Sequence, residues 1–306
     1  MDSLLDKVNY QELKKYNILI CGAGGFIGKN LVSNLKKNNV TFKTLARDQH
    51  ATNDNDIPFK KLGFYEFDVV INLVGKAHYF GNLNEKAIND FHYLNSIFHL
   101  ELLKECKKVC KIIHLSSIGV YGKSLSYFPI DESSKLHPQD IYQKTKLVGE
   151  DRLIKFAKVH NLQYSILRPA LVYGQNAPGN LQKLKNLSRL RIPLPFLNAT
   201  KKRHMVSIDN LVGLILLCST SESTNRQIYN VSDDEGFSTK DLIYNYRYKN
   251  NLLLFSLPKF IIKSILVMLG RRKIYNQLFE EFNVSNKKIK RDLGIESIKA
   301  NSKIFI

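Results

Sequence analysis

The sequence predicts a doubly wound parallel α/β sheet with a smaller, mainly helical lobe at its C-terminal end. Three observations predict it: a glycine loop between an apolar run and a helical pattern near the N-terminus, further apolar runs alternating with helices, and a change of texture after Gly174. Short apolar runs closed by glycine have the look of strands buried on both faces. Helices between such strands impose the crossovers of a parallel sheet.

Taken in order, "NILICGAG" is the first buried strand and "GKNLVSNLKKNN" continues with helical spacing. "VTFKTLAR" reads as a second strand and "FDVVINLVG", with six apolar residues among nine, as another. "IFHLELLKECKKV" is an amphipathic helix, "CKIIHLSSIGVYG" a strand opening into a loop, and "LQYSILRPALVYG" repeats that shape. Beyond Gly174, Pro178, Pro193 and Pro195 punctuate the chain and helices dominate. "DNLVGLILLCS" and "STKDLIYNYRY" each carry a capping residue before an apolar run. "RQIYNVSD" reads as a strand returning to the sheet. The expected organisation is thus a nucleotide-binding domain over 1–174, joined by a strand near 227–231, and a second lobe over most of 175–306.

Composition narrows the classes. The net charge of +19 is carried by lysines spread along the chain, not gathered in a block, so most of it reads as solvated surface. No pattern of a nucleic-acid-binding module accompanies it. Four cysteines without a pairing pattern indicate a reducing compartment. Cys106 and Cys110 lack the neighbouring histidines of a zinc site and read as buried helix residues, so no metal is expected. The N-terminus has early acids and no apolar signal region, and a cytoplasmic protein is expected. Residues 251–270 approach the length of a bilayer crossing, but Pro258, Lys259 and Lys263 interrupt them. They suit an amphipathic helix on the protein surface, or one lying on a membrane as a peripheral contact.

In "ICGAGGFIGKNLV", Gly22, Gly25 and Gly28 recur every third residue between strand and helix. Glycines there permit a tight turn and close approach of a pyrophosphate, and the helix N-terminus offers free N–H groups. Gly22, Gly25, Phe26, Ile27 and Gly28 are therefore the candidate phosphate-binding residues. Glycine turns before helices also serve packing alone. After the second strand, where an acid would bond the ribose of NAD, stand Ala46 and Arg47. An arginine there can pair with a 2′-phosphate, which favours NADP; with Asp48 in that role, the cofactor is NAD.

Tyr142 and Lys146 share a helix face at i and i+4, where an ammonium can lower the phenol's pKa. Ser117, at a strand end 25 residues before Tyr142, can hydrogen-bond the same substrate oxygen. Ser117, Tyr142 and Lys146 are the candidate catalytic set, with Lys146 also placed to bind the cofactor ribose.

With these residues the chain resembles the extended short-chain dehydrogenase/reductases of the nucleotide-sugar epimerase/dehydratase family. "GAGGFIG", "VVINLVG", "HLSSIGVYG", "PQDIYQKTK", "LRPALVYG" and "RHMVSIDNLV" carry the resemblance, from residue 17 to about 215. It implies a Rossmann domain, an NAD(P) cofactor, a UDP-sugar substrate held by the C-terminal lobe, and a homodimer. "IPLPF" and "NVSDDEGFSTKDLI" look most like bacterial 4-ketoreductases that finish UDP-N-acetylquinovosamine or UDP-N-acetylfucosamine for surface polysaccharide. By resemblance Asn180 and Arg203 contact the nucleotide or its diphosphate, and His78 lines the nicotinamide end. Arg203 also fits a surface basic cluster, and His78 a plain loop residue. Gln277 stands where the family usually has a further arginine. Asp56-Ile57 resembles the pair that touches adenine.

Within this fold the reaction can still differ. A dehydratase needs an acid pair after the serine, where this chain has Ile118-Gly119. A 4-epimerase keeps one NAD tightly bound, and the missing acid after the second strand speaks against that. Reduction of a 4-keto sugar by NADPH is the reading favoured, then 4-epimerisation, then a non-catalytic scaffold or sensor.

Overall fold

The computed structural model describes residues 4–46, 55–77, 84–190, 192–246 and 254–301. Its strands are β1 (Ile18–Cys21), β2 (Lys43–Leu45), β3 (Asp56–Ile57), β4 (Glu66–Asn72), β5 (Lys108–Leu115), β6 (Ser126–Ile130), β7 (Gln163–Pro169), β8 (Leu171–Tyr173), β9 (Met205–Ser207), β10 (Gln227–Val231) and β11 (Phe282–Val284). Its helices are α1 (Tyr10–Leu13), α2 (Phe26–Lys37), α3 (Glu85–His92), α4 (Phe98–Glu105), α5 (Ile141–Val159), α6 (Asn180–Arg189), α7 (Ile208–Thr220), α8 (Thr239–Tyr246), α9 (Lys259–Met268), α10 (Arg272–Phe279) and α11 (Lys287–Leu293).

All four residues of β1 are buried. A strand sends alternate side chains to opposite faces, so a strand apolar throughout must be covered on both. Ile18 and Ile20 join one core with Val69, Ile71, Ile113 and Leu167, roofed by α2 and α7. Leu19 and Cys21 join the other with Val70, Ile112 and Ile166, roofed by α4 and α5. Seven strands form this sheet in the order β10-β7-β5-β4-β1-β2-β3, every neighbour pair parallel. Strand order reverses between β1 and β4, and the crevice beyond the carboxyl ends at such a point is where open α/β sheets bind ligands. The Rossmann-type expectation holds, and "QIYNV" is β10, paired to β7.

Two short ribbons, β8–β9 and β6–β11, lie outside this sheet. A third core gathers Tyr173 of β8, Phe196, and Leu184, Leu242, Tyr275 and Phe279 from the later helices.

Some local expectations need correction. Helix α4 stops at Glu105 and the chain enters β5 at Lys108, so Cys106 and Cys110 straddle a helix–strand boundary. Cys106 is buried, whereas Cys110 is exposed. Helix α7 begins at Ile208, and its cap is Ser207, whose hydroxyl accepts the Asn210 N–H at 3.1 Å. Between α3 and α4 the helix widens into a π turn, Tyr93–Ile97. Among the described residues no helix is long and apolar enough to cross a membrane.

Candidate active site

The glycine loop is built by close backbone packing. Gly22 has φ +86°, and a Cβ on it would lie 3.0 Å from the Leu73 carbonyl carbon, so the turn after β1 passes tightly beside the end of β4. The Gly25 N–H donates to the Gly22 carbonyl at 3.1 Å, and a Cβ on Gly28 would lie 2.2 Å from that same oxygen. Added side chains thus strike protein at Gly22 and Gly28. At Gly24 a Cβ would meet nothing within 4 Å, so the loop is open on that side. Helix α2 has Gly25 as its N-cap and no capping side chain, which leaves its positive end to an outside anion. This cradle fits a dinucleotide pyrophosphate. Phe26 packs between the first and third cores and Ile27 against the first.

Beyond β2, the Ala46 N–H donates to the Ile57 carbonyl at 3.0 Å, and the Thr44 hydroxyl donates to the Asp56 carboxylate. The end of β2 therefore presents a methyl group at Ala46. Arg47 and His78 lie outside the described residues.

Ser117 follows β5, and its Oγ accepts the Gly119 N–H at 3.0 Å. Tyr142 occupies the first turn of α5, capped by Asp140, whose carboxylate accepts the Gln143 N–H at 3.0 Å. The cap sets the start of the helix that carries Tyr142. Burial raises the phenol above the ordinary tyrosine range; the Ser117 hydroxyl partly counters this. One turn on, Lys146 is 4% exposed and its ammonium donates to the Leu115 carbonyl at 2.8 Å. Burial pulls its pKa down to about 8, against a smaller opposing pull from Glu150. The structure thus brings Ser117, Tyr142 and Lys146 together, but Lys146 does not depress the phenol as the helical spacing suggested.

Five supporting residues were not singled out in the motifs above. Gly75 touches Lys146: a Cβ there would lie 2.7 Å from the ammonium nitrogen. Asn95, buried in the π turn, accepts the Lys76 N–H at 2.8 Å and donates to the Thr145 hydroxyl at 3.0 Å. Its backbone carbonyl packs where a Cβ on Gly149 would sit, 2.2 Å away, so α5 and the π turn meet backbone to backbone. Glu150, one turn beyond Lys146, accepts the Ser116 hydroxyl and pairs with Arg168 of β7 at 2.6 Å. Arg168 also donates to the Tyr121 phenol at 2.8 Å. Gly75 lay within "VVINLVG" and Glu150 was findable by helical spacing; Asn95 carried no local signal.

Of the substrate candidates, Asn180 opens α6 after Gly179 at φ +77°. Its side-chain amide donates to Gln277 Oε1 at 3.3 Å, so the residue in the expected arginine position faces Asn180. Arg203 stacks 4.9 Å over the Phe282 ring. Its Nη1 donates to the carbonyls of Ser124, Asn276 and Glu280 at 3.0–3.1 Å. Burial lowers its pKa to about 10. That nitrogen ties the C-terminal end of α10 to the loop before β6. Among the described residues no cluster of side chains could hold a metal ion.

Comparison with known proteins fits this geometry. The chain is 30% identical to a UDP-glucose 4-epimerase of Vibrio cholerae over 246 residues, 74% of each protein. It is 25% identical to a dTDP-4-dehydro-6-deoxyglucose reductase of Escherichia coli over 281 residues, 78% of this chain and 84% of that one. The solved UDP-glucuronic acid 4-epimerase of Bacillus cereus, in complex with NAD, superposes with a TM-score of 0.72 at 21% identity, over 94% of each chain. Residues 18–232 match the NAD dependent epimerase/dehydratase family, and the chain belongs to that family.

Proposed function

We propose that the protein is an NADPH-dependent reductase of the 4-keto group of a UDP-4-keto-6-deoxy-N-acetylhexosamine, acting in surface polysaccharide biosynthesis. The observation that carries the reading is the Tyr142 phenol under the influence of the Ser117 hydroxyl, one helical turn from the buried Lys146, an arrangement for handling a carbonyl oxygen. A phenol is protonated near neutrality and so can donate a proton, the role that carbonyl reduction asks of it.

The bound nicotinamide cofactor supplies the hydride. Tyr142 gives its phenolic proton to the carbonyl oxygen as negative charge builds there, and Ser117 donates a hydrogen bond to the same oxygen. Lys146 lies on the same helix face, with its ammonium fixed by the Leu115 carbonyl, and holds the cofactor ribose. Gly22, Gly25 and Gly28 shape the loop for the pyrophosphate, with the Phe26 and Ile27 amides at the helix start. Arg47 pairs with the 2′-phosphate. Asn180 binds the sugar nucleotide; Arg203, through its remaining nitrogens, and His78 complete its pocket.

Two observations support reduction over the runner-up, 4-epimerisation with tightly held NAD: Ala46 in place of a ribose-binding acid, and similarity to the E. coli reductase. Similarity to the V. cholerae epimerase supports the runner-up. Incubation with NADPH and a UDP-4-keto-6-deoxy sugar made in situ by a 4,6-dehydratase, with product identification by NMR, tests the reading. The expected product carries a new C4 hydroxyl.

A further inference from the structure

Among the described residues, helix α9 is an apolar helix of the lobe that buries none of its residues. Ile262 and Leu266 lean on the third core. Phe260, Ile261, Ile265 and Met268 spread over the opposite side, with Phe260 70% and Met268 87% exposed, and Leu269 follows at 62%. Contiguous exposed apolar side chains of this kind mark a surface that meets something other than water.

The charge around the helix says what. Between Asp241 and Glu280 the sequence has seven lysines and arginines and no acid. Lys259 opens the helix, and Arg271 and Arg272 stand exposed just after it. A second copy of the chain docked through the same face about a two-fold axis would bring these like charges together. An anionic lipid surface instead pairs with them while taking up the apolar side chains. Ten residues of helix span about 15 Å, half a bilayer core, so the helix lies in the interface plane instead of crossing it.

We propose that α9 and the turn into α10 dock the protein on an anionic lipid bilayer, with Phe260, Ile261, Ile265 and Met268 at the acyl boundary and Lys259, Arg271 and Arg272 against headgroup phosphates. The docked element adjoins the candidate site. Helix α10, directly after it, bonds Asn180 through Gln277 and pairs Lys273 with Asp140, the cap of the Tyr142 helix, at 3.1 Å. Docking therefore holds the sugar-nucleotide lobe at the membrane face. The proposal does not depend on which reaction the site performs.

The test is co-sedimentation of the full-length protein with phosphatidylcholine vesicles, with and without phosphatidylglycerol. Binding to the anionic vesicles should exceed binding to neutral ones by about tenfold or more, and rising salt should release it. Phe260→Ser with Met268→Glu, and separately Arg271→Gln with Arg272→Gln, should each lower it by about tenfold with an unchanged melting temperature. Equal, salt-independent partition to both vesicle types would overturn the proposal. So would wild-type protein that ignores vesicles and sediments as a dimer which Met268→Glu dissociates, since the face would then belong to a second copy.

Discussion

Arg168 holds Glu150 in a two-pronged ion pair, Nε to Oε1 at 3.0 Å and Nη2 to Oε2 at 2.6 Å, with both side chains no more than 4% exposed. The same carboxylate accepts the Ser116 hydroxyl, so the pair ties α5 and β7 to the residue beside Ser117. Removing one member of a buried pair leaves an uncompensated charge. Arg168→Met should lower stability to urea by about 3–5 kcal/mol. Adding Glu150→Gln to that variant should restore part of the loss. Equal stabilities of the wild type and the single variant would show that the pair contributes nothing.

Tyr142→Phe removes the proton donor but leaves the glycine loop intact. Turnover should fall by about a hundredfold or more while cofactor affinity, read by fluorescence titration, changes less than about threefold. Wild-type turnover in the Phe variant would remove Tyr142 from the mechanism.

Lys146 titrates near 8 in the native protein and near 10.5 unfolded. Between those values the unfolded chain binds more protons, so this residue makes stability rise with pH across that window and costs stability below it. Lys146→Met removes the effect. Its stability relative to wild type should fall by on the order of 2–3 kcal/mol as pH is raised from 8 to 10.5. Lys111, also drawn down to about 8 by burial, is common to both proteins and cancels in the difference. Denaturation curves that differ by a pH-independent offset would rule this out.

The proposed preference for NADPH rests on Ala46. A carboxylate there would accept bonds from the ribose hydroxyls and repel a 2′-phosphate. NADPH should bind about tenfold to a hundredfold more tightly than NADH. Ala46→Asp should reverse the order, and Arg47→Ala should erase most of the difference. Equal affinities in the wild type would contradict the account of this strand end.

Most of the sheet and the three catalytic candidates were legible because their signals are local. β1 is apolar throughout and closes on glycine, and Tyr142 and Lys146 differ by one helical turn. What could not be read depends on contacts distant in sequence. Asn95 is placed by a π turn that exists because Gly149, far along the chain, lets two backbones touch. Cys110 lies one helical turn after Cys106 by spacing, but the helix ends at Glu105 and the pairing of Lys108 with Glu66 puts Cys110 in β5. Arg203 reads as a surface cation in "TKKRH", and only the return of α10, far along the chain, supplies the Asn276 and Glu280 carbonyls that hold it.

The most direct test of the proposed reaction follows the hydride. With NADPH deuterated at the transferable C4 position and a UDP-4-keto-6-deoxy sugar as substrate, the account predicts deuterium at C4 of the product, one equivalent per NADPH consumed. It also predicts protein that purifies largely without bound nucleotide. Interconversion of C4-epimeric UDP-sugars by protein that carries stoichiometric NAD, with no deuterium taken from the added cofactor, would contradict it and make the protein a 4-epimerase.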